Sequence, residues 1–163
     1  MIRLEKLILD TYNDEYKYIE DEFEKGSSKS KFISDISKRL RLSCNIDSFF
    51  GKAYIVLHNI EPIGYLYISG IVNDDVYIEY SILNSKRNLG YGTLLVKEIT
   101  DYIFLNYNIR QIKLDISLNN QPSINIARKN GFDLNEVDFE NRGYSNKLIF
   151  EKDNLFYENR RKK

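Results

Sequence analysis

Arg87-Asn88-Leu89-Gly90-Tyr91-Gly92-Thr93 divides two hydrophobic patterns in a chain of 163 residues. Before it, Val76 to Leu83 is a β-branched and aromatic run, which predicts a strand. After it, Leu94, Leu95, Ile99, Tyr102 and Ile103 recur at helical spacing, so Gly90 to Asn106 reads as a helix with a buried stripe. Two glycines at a helix entrance permit a tight turn and close ligand approach. Successive N–H groups and the positive end of the helix dipole then face one point, an arrangement suited to a pyrophosphate. Arg87 adds a charge-assisted contact. Taken alone, R-x-x-G-x-G also describes a strand-to-helix turn that simply needs glycine. The chain carries neither G-x-G-x-x-G after this strand nor G-x-x-x-x-G-K-[ST] anywhere, so the dinucleotide and P-loop classes do not apply.

Working outward, Ala53 to Leu57 and Gly64 to Ile71 join Val76 to Leu83 as three short runs, with turn residues at Glu61-Pro62 and Asn73-Asp74-Asp75. They predict an antiparallel meander. Further upstream, Ile2 to Ile8 reads as an edge strand, and Asn13 is a candidate N-cap for a helix carrying Tyr16, Ile19 and Phe23. Lys25 to Lys31 reads as a break before a second helix over Lys31 to Leu42. Downstream come a strand at Ile112 to Ile116, a helix at Asn120 to Asn130 closed by Gly131, and strands at Phe132 to Phe139 and Lys147 to Glu151. The expectation is an α/β (α+β) single domain over 1–153 with a basic tail at 154–163. Its mixed, mostly antiparallel central sheet has about seven strands, with helices on both faces.

Composition narrows the function. The chain is 42% hydrophobic, 13% aromatic and 29% charged, as in a globular protein with its own core. Lysine plus arginine equal aspartate plus glutamate at 24 each, which argues against a general footprint for nucleic acid or anionic membrane. One cysteine, Cys44, and one histidine, His58, leave neither an internal disulfide nor a Cys/His metal site, so no metal is expected. The amino terminus lacks a long apolar segment and no membrane span is legible. The expected location is the cytoplasm.

Beyond the glycine turn stands Asn120-Gln121-Pro122-Ser123-Ile124-Asn125-Ile126-Ala127-Arg128-Lys129-Asn130-Gly131-Phe132. It resembles the second signature of the GCN5-related N-acetyltransferases (GNAT), with Asn120, Ser123, Lys129, Gly131 and Phe132 in register. Arg87, Gly90 and Gly92 match the first signature, [QR]-x-x-G-x-[GA]. The second motif is nearest to the subgroup resembling ribosomal-protein N-terminal acetyltransferases, and the resemblance covers nearly the whole chain. It implies a V-shaped splay between the strand near Tyr80 to Leu83 and the one at Ile112 to Ile116, with acetyl-coenzyme A (acetyl-CoA) bound there. It further implies that main-chain groups of Tyr80 and Ile82 pair with the pantetheine amides. By the same resemblance, Arg87, Asn88, Leu89, Gly90, Tyr91, Gly92 and Thr93 are expected to hold the pyrophosphate, and Asn120 and Ser123 to lie toward the pantetheine arm or acetyl end.

Direct acetyl transfer needs a neutral amine, an oriented thioester, a donor to the carbonyl oxygen and a proton for the departing thiolate. The backbone N–H near Ile82 is the candidate donor. Asp115 stands where relatives that act on protein amino termini carry a glutamate base, and Glu79 is the second candidate. Their competing roles are a local backbone bond and a solvent-facing charge. Many relatives place a tyrosine acid on the helix where this chain has Ala127. In the nearest subgroup a hydroxyl at the position of Ser123 is the proposed acid, although a first-turn serine also bonds nearby backbone. A thiol of pKa about 8.5 leaves without absolute need of an acid. Deprotonating lysine rather than an α-amine costs about 3.5 kcal/mol more, which favours an α-amine or another weakly basic amine.

The resemblance therefore implies an enzyme moving acetyl from acetyl-CoA to a primary amine, either a protein N-terminal α-amine or a small molecule. The alternative is a catalytically silent acyl-CoA-binding or sensing module, for which Ala127 speaks. Glu20-Asp21-Glu22-Phe23-Glu24 borders the acceptor cleft in the family and suits a cationic amine, or else is a solvated helix face. Asn159-Arg160-Arg161-Lys162-Lys163 suits contact with nucleic acid or ribosome, but reads better as a frayed basic terminus. Dimers are common among relatives, so a homodimer stays open.

Overall fold

The computed structural model describes residues 1–25, 48–136 and 146–159. Its strands are β1 (Ile2–Arg3), β2 (Ile8–Thr11), β3 (Lys52–His58), β4 (Glu61–Ile68), β5 (Asp75–Ile82), β6 (Gln111–Ser117), β7 (Asp133–Leu134) and β8 (Lys147–Asp153). They form one eight-stranded sheet in the order β1-β2-β3-β4-β5-β6-β8-β7. β5 and β6 pair in parallel, whereas β1–β2, β2–β3, β3–β4, β6–β8 and β8–β7 are antiparallel. Parallel neighbours need a crossover, and α2 (Tyr91–Asn106) supplies it. The other described helices are α1 (Lys17–Lys25) and α3 (Gln121–Lys129).

Two compact units divide the chain: Met1–Gly70 with Glu79–Gly92, and Ile71–Ile78 with Thr93–Lys163. In the first, Tyr12, Ile19, Ala53, Ile55, Leu57, Tyr65 and Leu83 form one buried cluster, with Ile8, Tyr16 and Tyr67 packed against it. The odd-numbered residues of β3 in this cluster show the period of two that defines a strand with a core-facing side. In the second unit, Leu95, Ile99 and Ile103 of α2 are wholly buried, each one helical turn beyond the last. Each such side chain stabilises the fold by about 1.5–3 kcal/mol through apolar burial. Val96 and Thr100 are also buried, so this helix is covered over more of its surface than the expected stripe.

Three local expectations change. The single edge strand over Ile2 to Ile8 is a hairpin of β1 and β2, closed by Leu4 N–H donating to the Leu7 carbonyl at 2.9 Å. Glu61-Pro62 is the start of β4, and the turn lies at Asn59-Ile60, with φ of 50° and 65°. A two-residue hairpin turn of this hand needs positive φ at both central residues, which the proline ring forbids. Pro62 instead sits at a register shift in the β3–β4 ladder, where its missing N–H is tolerated. Asn13 does cap, but it caps a 3-10 turn (Asp14–Tyr16) that leads into α1, its side chain accepting from Glu15 N–H at 2.9 Å. The expected Lys31 to Leu42 helix, Cys44, residues 137–139 of the Phe132 to Phe139 strand, and the last four tail residues lie outside the described residues.

Candidate active site

In the first unit, the C-terminal half of β5 runs tightly beside β4. A Cβ on the buried Gly64 would lie 2.3 Å from the Ser81 carbonyl oxygen, so only glycine lets the two backbones approach this closely. Leu83 N–H donates to the Ile63 carbonyl at 2.9 Å, and the chain then enters a 3-10 turn at Asn84–Lys86. Glu79, Tyr80 and Ile82 are half-buried. Arg87, Asn88, Leu89 and Gly90 are exposed just ahead of α2. Asn88 has φ of 63° and Gly90 of 85°, the left-handed conformation that turns the chain into the helix. No atom lies within 4 Å of where a Gly90 Cβ would be, so its conformation, not packing, demands glycine. The first-turn N–H groups of α2 lack intrahelical acceptors and carry the positive end of a sixteen-residue dipole.

Side chains fix this segment. Arg87 Nε donates to the Ile82 carbonyl at 3.2 Å, which leaves its remaining N–H donors for another acceptor. The Ile82 carbonyl, expected to face pantetheine, thus carries an intramolecular bond. Lys86 Nζ donates to Glu61 Oε1 at 2.5 Å. This bond holds the ammonium above its usual pKa range, with Glu22 adding in the same direction. Glu22 in α1 also accepts from Ser85 N–H at 3.3 Å and from the Ser85 hydroxyl. Glu20, in the same acidic run, is buried and accepts from Tyr12 O–H at 2.8 Å. That run is therefore not a uniformly solvated face, because two of its carboxylates serve the fold.

The second unit holds Thr93, Asp115, Asn120 and Ser123. Asp115 is exposed on β6, opposite Ile149 of β8. Asn120 is the N-cap of α3, its side chain accepting from Ser123 N–H at 3.3 Å. The two signature residues are thereby joined, and Pro122 in the first turn suits a position whose N–H has no helical acceptor. The C-terminus of α3 closes with Phe132 N–H on the Ala127 carbonyl (3.0 Å), Gly131 N–H on Arg128 (3.1 Å) and Gly131 at φ of 78°. This is the geometry that makes glycine and an apolar successor part of the signature. Asn130 Nδ2 reaches the Thr93 carbonyl at 3.3 Å and ties the end of α3 to the start of α2. Ala127 is fully buried and offers no hydroxyl. Sequence reasoning missed Asn130, Gly64, Glu61 and the use of His58; of these, only a glycine inside a strand pattern was a legible signal.

The sheet and glycine turn define an α/β protein with an exposed turn leading into a helix N-terminus, an arrangement suited to an anionic ligand. The acetyltransferase (GNAT) family model matches residues 10–132. The chain belongs to the GNAT acetyltransferase family. A GNAT-family acetyltransferase of Bacillus anthracis is 13% identical at a TM-score of 0.75, covering 94% of this chain and 98% of that one. An acetyl transferase of Salmonella typhimurium that modifies the N-terminal serine of 50S ribosomal subunit protein L7/L12 is 17% identical at 0.67, covering 91% and 95%. The microcin C7 self-immunity acetyltransferase MccE, solved with acetyl-CoA and AMP, is 17% identical at 0.66, covering 91% and 93%. No curated protein matches the sequence. Among the described residues no helix is long and apolar enough to cross a membrane.

Proposed function

We propose that this acetyltransferase moves acetyl from acetyl-CoA to a primary amine, with a protein α-amine as the leading acceptor class and a small-molecule amine as the other. The observation that carries the reading is the left-handed Asn88 and Gly90 turn opening into the N-terminus of α2. Residues 87–93 hold the pyrophosphate through N–H groups and the helix dipole, with Arg87 supplying charge. The main chain of Tyr80 and Ile82 aligns the pantetheine arm, and Asn120 and Ser123 serve its acetyl end. The Salmonella typhimurium neighbour's N-terminal serine substrate supports the α-amine, as does the smaller cost of deprotonating such an amine.

The bound donor supplies an acetyl thioester. The N–H near Ile82 stabilises its carbonyl oxygen as the N–C bond forms and the C–S bond breaks. Asp115 or Glu79 takes the amine proton, directly or through water, and Ser123 gives a proton to the thiolate. With Ala127 in place of a tyrosine, the thiol's own acidity does much of the leaving-group work.

A thiol-release assay with acetyl-CoA and a panel of peptides, polyamines, amino acids and aminoglycosides, run beside calorimetry of CoA, tests the reading. Acceptor-dependent release is expected. Binding without release across the panel favours the silent acyl-CoA-binding module, which the buried Ala127 supports; absence of CoA binding sinks both. Asp115→Asn or Glu79→Gln is expected to lower kcat about 10²-fold or more with CoA affinity kept. If neither slows an active preparation, neither is the base.

A further inference from the structure

The turn at residues 87–90 is gripped from both ends by one hairpin tip. Lys86, immediately before it, donates to Glu61 at 2.5 Å. Tyr91, immediately after it, places its hydroxyl 3.1 Å from His58 Nδ1, with ring centroids 5.2 Å apart. His58 and Glu61 are directly opposed partners at the end of the β3–β4 ladder, closed by Asn59 and Ile60. All these residues lie in the first unit. The four residues between the pins include two left-handed ones, Asn88 and Gly90, and an exposed segment so bent samples other shapes unless its ends are held.

The grip contributes little as stability, since an ion pair open to solvent such as Lys86–Glu61 is screened and loses side-chain freedom in forming. Its leverage is on binding. Holding a loop in its bound conformation removes an ordering cost that the ligand otherwise bears. We infer that His58 and Glu61 are positioning residues for the donor: acting through Tyr91 and Lys86, they hold the phosphate-binding turn in its competent shape. This rests on the reading that residues 87–93 bind the pyrophosphate of acetyl-CoA. The hairpin tip sets donor affinity and touches neither the reacting atoms nor the acceptor.

The test uses the full chain, CoA for calorimetry, and acetyl-CoA and S-acetylpantetheine, which lacks the pyrophosphate, as alternative donors. His58→Ala and Glu61→Gln are each expected to weaken CoA about threefold, and the pair about tenfold. KM for acetyl-CoA rises in parallel, with kcat within twofold and S-acetylpantetheine kinetics unchanged. Tyr91→Phe removes the hydroxyl contact and keeps the ring contact, so it gives part of the loss of His58→Ala, and adding it to His58→Ala brings no further loss. Circular dichroism and melting verify that each variant folds. Wild-type affinity in the folded double variant, or an equal loss with S-acetylpantetheine, overturns the positioning role. A wild-type chain that does not bind CoA overturns the pyrophosphate reading beneath it.

Discussion

Tyr16 shows how one side chain binds stability to pH. Its hydroxyl donates to Asp10 Oδ2 at 2.6 Å, and burial, followed by that bond, raises the phenol well above its ordinary range. The folded state therefore holds this proton more tightly than the unfolded chain, whose tyrosines titrate near pH 10. The resulting stability is fully present below about pH 10 and is lost as pH rises from there toward the folded pKa. Tyr16→Phe should flatten that alkaline decline, read as urea midpoints between about pH 9 and 11; an unchanged slope refutes it. Ile60 offers a second residue-level case. It is β-branched, 86% exposed and held at φ of 65° in the hairpin turn, a conformation that strains a side chain of this shape. Replacing it with glycine relieves the strain and loses almost no packing. Ile60→Gly should gain about 1 kcal/mol after allowing for glycine's greater unfolded-state freedom. A midpoint shift at constant m-value measures it.

Among the elements, β4 and β5 depend on one missing Cβ. Gly64→Ala places a methyl 2.3 Å from the Ser81 carbonyl oxygen, a backbone atom that moves only if β5 moves. The variant should lose about 1–3 kcal/mol by overpacking. On the proposed pairing of Tyr80 and Ile82 with pantetheine, it should also weaken CoA, because both belong to the displaced strand. Chemical denaturation and calorimetry separate the two effects; full stability with intact CoA binding contradicts the close approach. The same logic explains why the α3 signature was readable in advance. Asn120 caps, Gly131 adopts φ of 78°, and Phe132 donates to the Ala127 carbonyl, all through contacts within about a dozen residues.

Across the chain, the C-terminal segment belongs to the packing of the second unit. Asn154 is 7% exposed; its Nδ2 donates to the Ile109 carbonyl at 2.8 Å and its N–H to the Arg110 carbonyl at 2.9 Å. Tyr157 O–H donates to Asp74 at 2.5 Å, and Asn108 Nδ2 to the Glu158 carbonyl at 2.8 Å. Truncation after Asp153 should therefore cost about 4 kcal/mol, at roughly 1 kcal/mol for each of these four bonds. Thermal melts of the shortened and the full chain decide this, and equal melting temperatures contradict it.

Much of this fold was written locally. Short β-branched and aromatic runs between turn residues placed β3 and β5, strands were also legible at β6 and β8, helical spacing placed α2, and both signatures marked turns whose backbone chemistry tolerates few residue types. Such signals arise between neighbours in sequence, so a single sequence carries them. The hairpin tip at His58 and Glu61, the carboxylate of Glu22 on Ser85, the Glu20–Tyr12 bond and the clearance at Gly64 have no comparable signature. Several join residues 17 to 63 positions apart, and each partner reads alone as an ordinary surface charge or strand residue. Their roles follow from the long-range packing that brings those partners together, and with them the shape of the turn entering α2.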